Sequence, residues 1–197
     1  MPTVHDVAEY IAVRVPDARR DWWRLQKLVF YSQAWSLAWD GVPLFNEPIE
    51  AWKDGPVVNE LYSAQKYGPK VPGDASRLDA SARQTVDAVV RAYGDRPGTW
   101  LSELTHREGP WRQARGALPP TAWGREVISL DAMKRWYAAQ GQPAKVISEP
   151  YLRGLEILVE TPEEEVPRLL DGAAGAMQAE SYLQWLEKGD QWPDSQE

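Results

Sequence analysis

Acid–base chemistry in this 197-residue chain would have to run through two histidines, and the better placed is His106, in Thr105-His106-Arg107-Glu108. An imidazole within hydrogen-bond reach of a carboxylate is the arrangement of an oriented general base. Acyl transfer would also need an activated nucleophile. The chain has no cysteine and no G-x-S-x-G turn. His5 lies far from His106 in sequence, and without cysteine the scattered carboxylates form no metal-ligand spacing. The glycine-rich phosphate cradles G-x-x-x-x-G-K-S/T and G-x-G-x-x-G are missing too. No cofactor or metal is expected, His106 reads more simply as a packed hydrogen-bonding residue, and an enzyme is not expected.

Two further groups have residue types suited to binding. Arg19, Arg20, Arg24 and Lys27 interleave with Trp22 and Trp23, as in surfaces that grip phosphate and stack bases. The plainer reading is an exposed helix start beside a buried seam. The formal net charge of −7 disfavours a nucleic-acid partner, which needs a basic face. It suits a basic protein partner better. The second group is aromatic: Trp52-Lys53-Asp54-Gly55-Pro56-Val57 and Pro110-Trp111 are rigid turns that either anchor a partner or pack inward. Eleven tryptophans in the chain, many in the blocks 25–58 and 101–111, mean a rigid core or a prepared surface.

The elements that must position these residues read as mostly helical. Area scaling at 22.3 kDa buries about 70% of the unfolded surface, so a core needs no cross-links. The first residues lack a signal-peptide layout, and no apolar run approaches the ~20 residues that span a bilayer. A soluble cytoplasmic protein with no membrane partner is therefore expected. Thr3 is placed to cap a first helix that ends before Pro16. A second helix, from Asp17 or Arg20 to Trp39, has apolar residues on nearly every side and belongs in the middle of a bundle. Asp40-Gly41 stops it. Ile49–Lys53 alternates like a short strand. Asp54-Gly55-Pro56 turns the chain, with Pro56 suited to start a helix that runs to Tyr67.

Asp79, Thr99 and Ser129 are predicted caps of later helices, Gly109-Pro110 opens another, and Val127-Ile128 reads as a small strand. From residue 141 a separate helical appendage is expected, including the capping box Thr161-Pro162-Glu163-Glu164 and a solvated run at Glu163-Glu164-Glu165. The fold class is mainly α: a compact helical domain, 1–140, around a central Trp-rich helix, with one or two short strands and a C-terminal helical extension, 141–197.

The ordered blocks LQKLVFYSQAW, PLFNEPIEAWKDGPVV, Tyr67-Gly68 and LSELTHREGPW, followed by Arg112 and Ala114-Arg115, resemble the Panacea domain of the SocA-like antitoxins of bacteria and phages. The resemblance covers roughly the first 115 to 140 residues. It implies an antitoxin that binds and neutralises a cognate toxin, usually encoded by the adjacent gene, in systems that include phage defence. Partner toxins in the family are diverse, alarmone-synthetase-like enzymes among them. One member works instead as an adaptor that delivers its toxin to a host protease. No catalytic residue is implied. The resemblance marks a scaffold signature of Gln33, Trp52, Gly55, Pro56, Thr105, His106, Pro110 and Trp111. The added segment Ser148 to Lys188, with Tyr151, Leu155, Leu183 and Leu186, is where a toxin-specific surface is expected.

Overall fold

A computed structural model describes residues 1–67, 73–119 and 121–140. The expected extension 141–197, the division at residue 140, the candidates Tyr151, Leu155, Leu183 and Leu186, and Gly68 of the sequence pattern lie outside the described residues. Helix α1, Val4–Arg14, begins with the expected cap: the Thr3 side chain accepts from the Asp6 N–H, and Asp6 accepts from the Thr3 N–H at 2.8 Å. Pro16–Arg19 then forms a separate 3-10 turn. The central helix α2, Trp22–Trp39, therefore starts later than Asp17 or Arg20. Its cap is Asp21, whose Oδ1 accepts from the Arg24 N–H at 3.0 Å.

Every residue of α2 from Leu25 to Leu37 is buried, as an apolar surface on all sides requires. Helices α4, Ala80–Tyr93, α5, Gly98–Arg107, and α7, Leu130–Gln140, pack around it together with α1. Trp35, Tyr31, Tyr93, Tyr137 and Phe30 fill the centre; Tyr31 stacks on Tyr93 at 4.2 Å between ring centroids. Gly41, at φ +74°, ends the helix as expected.

The segment after α2 departs from expectation. Strand β1, Ile49–Trp52, pairs antiparallel with β2, Gly55–Val58, in the register Trp52↔Gly55 and Ala51↔Pro56. Pro56 thus sits in a strand and does not start a helix. Helix α3, Asn59–Tyr67, follows β2. Gly55, at φ +101°, closes a two-residue hairpin turn that a residue with a Cβ enters with strain. Proline fits opposite Ala51 because the Ala51 N–H turns to the Glu126 carbonyl, 2.8 Å away on the other side of β1. The 51–56 pair is consequently one without mutual hydrogen bonds, and Pro56 has no ladder bond to lose.

Val127-Ile128 contributes the other neighbour of β1. It is a single bridge, Glu50↔Val127, with the Ile128 N–H donating to the Ile49 carbonyl at 2.8 Å. Thr99 is not a cap: α5 starts one residue earlier, with Pro97 at the capping position. The Gly98 N–H donates instead to Asp21 Oδ2 at 3.0 Å, so one carboxylate serves the starts of α2 and α5. Gly109 opens the short helix α6, Gly109–Arg115. Asp79 caps α4, and Ser129 Oγ accepts from the Ala132 N–H at the start of α7. Among the described residues no helix is long and apolar enough to cross a membrane.

Candidate functional site

A helix buried on all sides must satisfy its polar side chains inside the protein. Gln26 does so at the end of β2: its Oε1 accepts from the Val58 N–H at 2.9 Å and its Nε2 donates to Gln65 Oε1 at 3.1 Å. Gln33, two turns further along, holds the chain before β1. Its Oε1 accepts from the Leu44 and Phe45 N–H groups at 2.7 and 3.3 Å, and its Nε2 donates to the Phe45 carbonyl at 2.9 Å. Both amides imitate a strand edge: Gln26 fixes the end of β2 and Gln33 the loop before β1 against the helix.

Between them lies Lys27, fully buried, donating to the Pro56 carbonyl at 3.3 Å with its ammonium 4.8 Å from the Trp23 ring centroid. Burial lowers its pKa to about 7, against the opposing pull of Asp54 and Asp21. Gly55 presses on this side chain: a Cβ there would lie 2.6 Å from Lys27 Cε and 2.8 Å from Thr105 Oγ1. Only glycine meets both the φ angle and that contact. Thr105 donates its hydroxyl to the Ser102 carbonyl at 2.7 Å.

His106 stacks on Trp111, centroids 4.2 Å apart. Burial first, then the neighbouring Lys27, lowers its pKa to about 4. Trp111 donates its Nε1–H to the Trp52 carbonyl at 2.9 Å. Pro110 is buried in the first turn of α6. Arg115, also buried, donates to the carbonyls of Ala51, Pro119 and Ala122 and so ties α6 to the hairpin and to the loop before Trp123.

The structure therefore gathers Trp52, Gly55, Pro56, Thr105, His106 and Trp111 near Lys27, and leaves Gln33 at a separate clamp. It does not pair His106 with Glu108. Glu108 accepts from the Tyr31 and Tyr137 hydroxyls at 3.2 and 2.6 Å, and burial raises its pKa to about 8. The arginine-rich patch is also dispersed. Arg19 pairs with Glu9 at 2.6 Å, Arg24 with Asp21 at 3.4 Å, and Lys27 is inside.

Gln26, Lys27 and Glu108 carry structural roles that the sequence reading did not assign. Lys27 had a usable signal: a helix apolar on every side offers a cation in LQKLVF no solvent face.

Residues 25–112 match the family model described as Antitoxin SocA-like, Panacea domain. Residues 25–112 thus form a SocA-like Panacea domain, which supports an antitoxin role in general terms. The match runs from the first fully buried turn of α2 to Arg112 in α6 and takes in all eight signature residues. Helix α1, the bridge strand at Val127 and α7 lie outside it. No curated protein and no solved structure matches the chain.

Proposed function

We propose that this protein neutralises a cognate toxin, the product of the adjacent gene, by direct protein–protein binding in the cytoplasm, without catalysing a reaction and without a cofactor. The match of residues 25–112 to the antitoxin domain carries this reading. The geometry supports it. Polar groups of types that do chemistry are engaged within the fold: Gln26, Gln33 and Arg115 clamp strands and loops, and Glu108 is held by two tyrosines.

Charge placement adds to it. Residues 1–140 hold 18 basic and 17 acidic side chains, whereas 141–197 hold 4 and 12. Acidity that would steer a basic partner thus belongs to the segment of Tyr151, Leu155, Leu183 and Leu186. The test is co-expression with the adjacent open reading frame in hosts with and without their cytosolic proteases. Growth rescue in both hosts, with nanomolar association of the purified proteins, is expected. Rescue only when a protease is present would replace direct neutralisation by proteolytic delivery.

A further inference from the structure

The bridge strand beside β1 leaves an open edge. The Ala51 N–H donates to the Glu126 carbonyl and the Ile128 N–H to the Ile49 carbonyl, and these bonds flank the Glu50↔Val127 pair. In that geometry the N–H and C=O of Val127 point away from β1. Among the described residues neither has a hydrogen-bond partner. Val127 is 59% exposed and Trp123, four residues earlier, 68% exposed. A strand edge with unpaired groups is a template for another strand.

The surroundings of that edge resemble a recognition surface. Trp123 meets Trp52 edge-on, centroids 5.9 Å apart, with Lys53 5.3 Å from the Trp123 ring and Arg125 5.8 Å from the Trp52 ring. Trp52, itself buried, packs on Tyr62, and Tyr62 on Trp22. A hollow of about 440 Å³ is lined by Trp123, Gly124 and Arg125. Among the described residues, neither Lys53 nor Arg125 takes part in a salt bridge. Tryptophan and arginine around an apolar hollow are the composition of binding hot spots, and the two cations call for carboxylates from outside.

We propose that the 123–127 edge is the toxin-docking strand: an extended toxin segment pairs with the Val127 backbone, seats an apolar side chain against Trp123, and offers carboxylates to Lys53 and Arg125. Main-chain pairing supplies affinity, and the hollow and the cations supply selectivity. This rests on the antitoxin reading above and names the surface that acts in it. Residues 123–127 lie outside the 25–112 family match, where a shared domain has freedom to vary with its toxin, while Lys53 lies within it.

The test uses the full-length chain and the purified product of the adjacent gene. Amide exchange at Val127 should be fast in the free chain and at least a hundredfold slower in the complex. Val127→Pro removes the outward N–H without touching either ladder bond. It should weaken association at least tenfold, while Val127→Thr, which keeps the donor, should bind like the parent. If Val127→Pro does not fold, Trp123→Ala and Arg125→Glu take its place, each with an expected loss of at least tenfold at an unchanged melting temperature.

Full affinity in these variants, or an unprotected Val127 amide in the complex, would overturn the docking edge and leave the antitoxin reading standing. Protection of Val127 that grows with concentration in the free chain would assign the edge to a second copy and overturn the proposal. No association of the parent chain with the toxin would overturn the antitoxin reading itself, and the docking edge with it.

Discussion

The Lys27 cluster and the Val127 edge lie on opposite sides of β1 and have opposite properties. Around Lys27, polar groups are buried and largely engaged within the domain: Gln26, Lys27, Thr105 and Trp111 all bond to its backbone or side chains. At the edge, the Val127 backbone groups point away from β1, Trp123 and Arg125 are exposed, and Lys53 is half-buried. The cluster holds most of the family signature, whereas residues 123–127 lie outside the family match. Residues that identify such a domain are therefore those with least left over for a partner, because a buried polar group with no internal bond costs about 1–3 kcal/mol. Recognition falls to positions that the packing leaves free. Substitutions in the cluster should lower stability and binding together, and substitutions at the edge binding alone.

The sharpest contrast is expected at Trp111. Replacing it by alanine empties a buried site, unstacks His106 and frees the Trp52 carbonyl. A loss of roughly 3–5 kcal/mol is expected in urea unfolding, with toxin binding failing only where the chain unfolds. Binding lost by a folded Trp111→Ala protein would blur the division between the two regions.

Glu108 gives a pH-resolved version of the same comparison. Its folded pKa, about 8, lies above its ordinary value of 4.5. Below pH 4.5 both folded and unfolded chains hold the proton. Between pH 4.5 and 8 the unfolded chain releases it and the folded one keeps it, so stability falls as pH rises, and above pH 8 the penalty is complete. Glu108→Gln cannot ionise and keeps an oxygen for Tyr31 and Tyr137. The variant should match the parent near pH 4 and exceed it at pH 9 by on the order of 3 kcal/mol, read by thermal or urea unfolding at the two pH values. Lys27, its pKa lowered to about 7, gives an opposite slope between pH 7 and 10.5. It is present in both proteins and cancels from their difference. A difference independent of pH would mean that Glu108 is not held protonated by burial.

The smallest of these effects belongs to His106. His106→Ala removes one face of the Trp111 stack and should lower stability by about 1–2 kcal/mol, with neutralisation intact at temperatures where the protein is folded. Loss of function at full stability would restore His106 as a chemical group and break the assignment of this region to scaffold.

What could be read in the sequence follows the range of the interactions. The Thr3, Asp79 and Ser129 caps and the Gly41 stop act within a turn of helix, and the sequence displays both partners of each. The central position of α2 was legible because its apolar residues leave no polar face. Proline at 56 suits both a first helical turn and a strand position without a ladder bond, and the choice depends on Ala51 turning its N–H to Glu126. The start of α5 is not legible at Thr99 because the group that meets the Gly98 N–H is Asp21, distant in sequence. The same holds for the site. The signature residues were visible as a pattern, but which of them surround Lys27 was not.

The sequence by itself determined the helical framework, its caps and the family pattern, because periodicity, capping and residue order are local properties of the chain. Tertiary structure alone decided that Lys27 meets the Pro56 carbonyl, that Glu108 bonds to Tyr31 and Tyr137 and not to His106, and that the N–H and C=O of Val127 point away from β1. Each depends on segments far apart in the chain meeting in one place, and burial, unlike helix periodicity, is a property of that meeting.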